Sequence, residues 1–155
     1  MLHLSVRSSI ICVKSAPVPD PSLHHVGYVV TSIAESVDRW RQAVLPVSIS
    51  EAFGDGIQRA RVIFLGLPPD GALKLELVEP LGPGSPVASF DQKGGGLHHL
   101  CFEVDDIEQQ IGKMKLLKAM LIRRPQPAAA FGGRRIAWMR TRDKLLVEYL
   151  ERPAR

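Results

Sequence analysis

The chain has 155 residues, 45% of them apolar and 23% charged, and a formal net charge of +4. That balance fits one ordinary folded domain, or two small halves sharing a core, and excludes a disordered chain. No stretch reaches the roughly 18 consecutive apolar residues of a membrane-spanning helix, and two cysteines, Cys12 and Cys101, provide no disulfide framework, which points to a reducing, cytoplasmic setting.

Residues 1–22, "MLHLSVRSSIICVKSAPVPDPS", place one basic residue before a short apolar patch, too weak a pattern for a secretory signal. The Pro-rich end of this segment reads as a tail. A β-branched strand is predicted over 25–30, followed by a Thr31-Ser32 cap and a helix over Ile33–Val44. Ile33, Val37, Trp40, Arg41 and Val44 recur at helical spacing, so the expected stripe facing the sheet includes the Arg41 stem. Strands are predicted over 47–52, 58–65 and 73–79. A Pro- and Gly-rich linker over 81–96 then marks a boundary. Beyond it come a strand over 100–104, a cap at Asp105-Asp106, a helix over 107–117, and strands over 120–123, 134–140 and 144–150.

The second half repeats the first. "LHHVGYVV" begins at Leu23 and "LHHLCFEV" at Leu97, 74 residues later (97 − 23). Ile33 and Ile107 keep that offset, as do "RVIFL" at Arg61 and "RIAWM" at Arg135. "LKLELVEP" around Glu76 and "LLVEYLERP" around Glu148 stand 72 apart (148 − 76), the difference falling in the preceding turn. The predicted architecture is therefore α+β, a single domain over 23–151 built from two βαβββ modules, 23–80 and 97–151.

Strand alternation decides which side chains share a face. His25, Gly27 and Val29 oppose the more apolar set Val26, Tyr28 and Val30, which belongs against the helix. His99 and Cys101 oppose Leu100, Phe102 and Val104 in the same way. Glu76 lies between Leu75 and Leu77, and Glu148 between Val147 and Tyr149, so both carboxylates fall on the histidine face. A carboxylate inside an apolar strand is costly without compensation. Two histidines and two glutamates at matching repeat positions suit a four-ligand divalent metal site. His24 and His98 have the other parity and read as supports for the ligands.

Between Gln109 and Val147, ten Lys and Arg residues accompany one acid, Asp143. No nucleic-acid motif or aromatic stripe goes with them, so the stretch reads as a solvated basic face, with an anion-binding rim as the sharper alternative.

The chain resembles the vicinal-oxygen-chelate superfamily, which includes glyoxalase I, extradiol dioxygenases, bleomycin- and fosfomycin-resistance proteins and methylmalonyl-CoA epimerase. Its phrases "ELVEPLGPGSP", "GLHHLCFEVDDI" and "VEYL" are most similar to those of the epimerases. The resemblance implies a cup-shaped mixed sheet around one divalent ion per chain (cobalt, nickel, zinc, manganese or magnesium) held by His25, Glu76, His99 and Glu148. In each module the last strand should pair beside the first, bringing His25 near Glu76 and His99 near Glu148. It also implies a homodimer.

The implied activity is isomerisation or epimerisation by proton abstraction next to a carbonyl or thioester, on a small molecule such as an acyl-CoA thioester. Glu148 is the expected mobile base, and Glu76 the second catalytic carboxylate, better read as a fixed ligand. A glyoxalase I-type lyase, a ring-cleaving dioxygenase and a non-catalytic drug-binding resistance protein are the other readings. Four protein ligands count against the dioxygenase, whose iron needs open positions. Two features depart from the epimerases: the tight "RTRDKLL" before the last strand, and the lack of a carboxylate over 61–65.

Overall fold

In a computed structural model, which describes residues 21–56 and 58–153, nine strands form one mixed sheet. The first module comprises β1 (Ser22–Val29), α1 (Ile33–Val44), β2 (Ser48–Ile49), β3 (Phe53–Asp55), β4 (Ala60–Gly66) and β5 (Lys74–Pro80). After a short helix α2 (Ala88–Asp91) the second follows with β6 (Gly96–Val104), α3 (Ile107–Leu116), β7 (Met120–Pro127), β8 (Arg135–Arg140) and β9 (Leu146–Glu151). The sheet order is β2-β4-β5-β1-β6-β9-β8-β7, with β3 paired to β4. Each module's last strand runs parallel beside its first, and antiparallel β1 and β6 join the halves. Two copies of one motif thus form a continuous cup.

Several boundaries differ from the sequence reading. Residues 1–20 of the expected tail lie outside the described residues, while Ser22 already opens β1. The linker 81–96 contains α2, and its last residue, Gly96, starts β6. The strand expected over 47–52 is split into β2 and β3, and Ser50 is the reason. Its backbone N–H donates to the Phe64 carbonyl at 2.9 Å, but its hydroxyl rather than its carbonyl accepts the Phe64 N–H, also at 2.9 Å. A side chain that substitutes for the backbone acceptor interrupts the ladder.

The helices begin where the caps were expected. The Ser32 hydroxyl accepts the Glu35 N–H at 3.4 Å, and the Asp106 carboxylate accepts the Gln109 N–H at 2.9 Å. A second cap repeats across the modules: Glu79 at the end of β5 accepts the Ile33 N–H at 2.7 Å, and Glu151 at the end of β9 accepts the Ile107 N–H at 3.4 Å. Each last strand thus anchors the positive end of its module's helix.

On α1 the buried residues are Ile33 and Ser36. Arg41, expected in the stripe, lies at its edge and is exposed, with its guanidinium 3.4 Å from Asp38. The helix side of the sheet buries Ile33, Ile63, Leu65, Leu75 and Leu77 in one module, and Ile107, Ile111, Met139, Val147 and Tyr149 in the other. The concave side is also largely apolar, with Val62, Phe64 and Val78 in one cluster and Cys101, Ile136 and Leu150 in another. Polar groups on that face are therefore set among apolar side chains. Among the described residues no helix is long and apolar enough to cross a membrane.

Candidate metal centre

The four central strands each send one polar side chain into the cup: His25 from β1, Glu76 from β5, His99 from β6 and Glu148 from β9. Register brings them together. Gly27 pairs with both Glu76 and His99 across its two neighbouring strands, and Cys101 pairs with both His25 and Glu148. All four side chains are buried, with relative exposures of 0% for His25, 6% for Glu76, and 2% each for His99 and Glu148.

The donor atoms converge. His25 Nε2 lies 3.1 Å from His99 Nε2, 3.4 Å from Glu76 Oε2 and 3.3 Å from Glu148 Oε2. His99 Nε2 lies 3.3 Å from Glu76 Oε2 and 3.7 Å from Glu148 Oε2. Ligands held at about 2.0–2.2 Å from one ion stand about 2.8–3.6 Å apart when adjacent. His25, His99 and Glu148 form a group able to hold a metal ion, with donor atoms all within 4.8 Å of one another, and Glu76 Oε2 stands within 3.4 Å of both imidazoles. Glu148 Oε2 is buried with no hydrogen-bond donor aligned to it, as expected of an atom directed at a cation. The arrangement and the donor set, two imidazole nitrogens and two carboxylates, fit the metal that the repeat suggested.

The second histidine of each pair takes a supporting place. His24 Nδ1 lies 2.8 Å from His25 Nδ1, and His98 Nδ1 lies 3.0 Å from His99 Nδ1. Each inner ring is thus held through Nδ1, leaving Nε2 for the cluster. Burial, and then the neighbouring inner histidine, push the pKa of His24 and of His98 down to about 4, so both supports are neutral near pH 7. Burial also opposes charge on His25, but Glu76 and Glu148 outweigh it and raise its pKa to about 9. Burial would likewise raise Glu76, yet His25 and His99 hold its carboxyl well below the usual carboxylate range. Burial and then Glu148 push the Cys101 thiol up, so it stays protonated beside the cluster.

The roles of three site residues escaped the sequence reading. Gly27 lies directly beneath the His99 imidazole, and a Cβ there would fall inside the ring. A glycine within a strand is the available signal for such a close approach. Phe131, on a 3-10 turn over Ala129–Phe131, stacks on His25 with ring centroids 5.8 Å apart and closes that side of the cluster. Gly132 ends the turn at φ +63°, so the "FGG" triplet marks a chain reversal. Trp138 on β8 packs edge-on against His99 at 4.6 Å. Together these residues shape a cavity of about 210 Å³ with Glu76, His99 and Glu148 among its lining, Val62, Val78, Phe131 and Trp138 as apolar wall, and Arg123 at β7.

The family model of the glyoxalase/bleomycin resistance protein/dioxygenase superfamily matches residues 24–138. The chain belongs to this superfamily. It is 30% identical over 123 residues to a Cereibacter sphaeroides protein named ethylmalonyl-CoA/methylmalonyl-CoA epimerase, covering 78% of this chain and 89% of that one. The same superfamily fold is seen in the crystal structure of methylmalonyl-CoA epimerase from Mycobacterium tuberculosis, at a TM-score of 0.74 and 22% identity, over 86% of this chain and 89% of that one. A variant of the Streptomyces coelicolor methylmalonyl-CoA epimerase in complex with 2-nitronate-propionyl-CoA superposes at a TM-score of 0.72 with 20% identity, over 87% and 100% of the two chains.

Two outcomes are expected. Gly27→Ala displaces the His99 ring while leaving the sheet intact, so affinity for added divalent metal should fall about 10- to 100-fold with an unchanged circular dichroism spectrum, the scale of a lost ligand support. Unchanged affinity would contradict the geometry. Metal affinity should also rise with pH, because a cation must displace the proton that His25 holds up to about pH 9. Titration of the chelator-treated protein between pH 6 and 8 should show about a tenfold gain per unit for one proton released. A flat profile would show that no proton is displaced. In the metal-free protein the same shifts set the sign of stability. The Glu76 contribution is present above 4.5 and lost on acidification, while that of His25 is present below 6.5 and lost through about 9.

Proposed function

We propose that this protein is a metal-dependent epimerase or isomerase that moves the proton on a carbon next to a carbonyl or thioester. One observation carries the reading: two carboxylates from opposite modules, Glu76 and Glu148, are buried with two imidazoles at an apolar cavity. His25, Glu76, His99 and Glu148 are the residues that would hold the ion, with cobalt, nickel, zinc, manganese and magnesium as the candidate metals. When bound, such an ion supplies Lewis-acid stabilisation of the negative charge that develops on the substrate's carbonyl oxygen.

The chain's own part is to move the proton and keep water out. Glu148 is the base: it lies in the last strand, after the turn over 141–144, and reaches the cavity from the basic module. Glu76 and Glu148 are the only carboxylates among the described residues lining the cavity. Concave residues of β4, Ala60 and Val62, are apolar, so they supply no further acid. Return of a proton to the other face of the substrate therefore falls to Glu76, which reaches the cavity from the other module. Val78, Phe131 and Trp138 surround the reacting carbon with apolar surface, which favours proton transfer between side chain and substrate over leakage to solvent.

The substrate class is an acyl-CoA thioester, a reading supported by the names of the relatives and by the basic character of the second module. The acting unit is the single domain 23–151, since each module supplies one histidine and one glutamate. A homodimer goes with this reading; the edge strand β7 leaves Met120 exposed as apolar contact surface. Cytoplasmic residence follows from the cysteine usage and is part of the same proposal.

The test is α-deuterium exchange in deuterated buffer with a panel of 2-substituted acyl thioesters and a hemithioacetal. Wild-type protein should exchange the thioester α-hydrogen. Glu148→Gln should retain most of the metal while exchange falls about a hundredfold or more, the scale of a lost general base. Undiminished exchange in that variant would move the base to Glu76. Turnover of the hemithioacetal alone would establish the lyase reading instead.

A further inference from the structure

We infer that Arg123 is a specificity-determining residue, the group that receives an anionic substituent of the substrate at the far side of the cavity from the His–Glu cluster. This deepens the proposed function and rests on it for the identity of the reacting carbonyl.

The placement comes from sheet register. Arg123 on β7 pairs with Trp138 on β8, Trp138 with Glu148 on β9, Glu148 with Cys101 on β6, and Cys101 with His25 on β1. All lie in one row across the concave face, and Arg123 is two strands from Glu148. At about 4.8 Å per strand their backbones are about 10 Å apart, with the Trp138 ring between them. A β-bulge between Leu121 and Arg123 re-aims β7 here: Leu121 packs into the helix-side core, whereas Ile122 and Arg123 both line the cavity.

Charge then makes Arg123 distinctive. It is the only Lys or Arg among the described cavity-lining residues. Arg134, Arg135 and Arg152 are each held by a carboxylate, at 2.7 Å from Glu103, Glu151 and Asp105 respectively. Among the described residues no carboxylate lies within ion-pair distance of Arg123, although Glu76 and Glu148 line the same cavity. An anionic group that enters is attracted by the guanidinium, whose charge no carboxylate beside it neutralises, and this fixes the orientation of the bound molecule. A planar guanidinium also favours a planar, two-oxygen partner, and a carboxylate near the reacting carbonyl is the group of that kind that the test offers it.

Binding, rather than turnover, tests this. Calorimetric titration of the full chain, with manganese added, would compare succinyl-pantetheine thioester with butyryl-pantetheine thioester, which lacks the carboxylate. Wild type should bind the succinyl probe about 10- to 100-fold more tightly, the range of a lost charge-assisted hydrogen-bonding pair. Arg123→Gln should remove that preference without weakening the butyryl probe, and Arg123→Lys should restore part of it. Equal binding of the two probes by wild type, or a preference that survives in Arg123→Gln, would overturn the assignment. Exchange of the α-hydrogen, read on the same samples, is separate. A preference without exchange would leave Arg123 in place and reject the epimerase reading.

Discussion

Two carboxylates and two imidazoles meet, buried, at the centre of this sheet, and the rest of the molecule is arranged around that meeting. Groups of this kind are costly to bury unless their charge is balanced at short range. Here the balance lies in separations of 3.1 to 3.7 Å from the imidazole nitrogens of His25 and His99 to each other and to the Glu76 and Glu148 carboxylates. A proton on His25 partly offsets the two carboxylates; under the proposed function a divalent cation would offset both and replace that proton. Positive charge at the centre thus lowers the cost of burying the two carboxylates, and the sheet holds all four side chains close together.

Duplication accomplishes this economically. A parallel pairing of first and last strands places one histidine beside one glutamate in each module, and the antiparallel β1–β6 seam brings the two pairs face to face. The same symmetry recurs in the outer positions. His24 and His98 support the inner imidazoles, and Glu79 and Glu151 tie each last strand to its module's helix. Departures from symmetry are where the cavity acquires its character. Only the second module carries the turn with Phe131 that closes over His25, the indole of Trp138 and the guanidinium of Arg123.

Much of this was legible in the sequence because it is local or periodic. The 74-residue echo of the histidine pairs and the alternation around Glu76 and Glu148 assign the four donors to one face without any knowledge of pairing. What was not legible depends on contacts distant along the chain. Phe131 reaches His25 across 106 residues (131 − 25), which no local pattern records. Ser50 breaks its strand because its own hydroxyl intercepts the Phe64 N–H, a competition decided by rotamer rather than composition. Arg41 satisfied the helical period yet sits at the edge of the stripe, where its charge finds Asp38 and water. Gly27 was read by its parity alone; that its missing side chain is the space occupied by His99 appears only in three dimensions.

The central claim, that these four residues form one divalent-metal site, is tested most directly by metal stoichiometry. Wild type, His98→Ala and His99→Ala would be stripped with chelator, reloaded and assayed for bound metal by mass spectrometry after gel filtration. The account predicts one ion per chain in wild type, retention in His98→Ala, which removes a support, and strong loss in His99→Ala, which removes a ligand. Full occupancy in His99→Ala would contradict it.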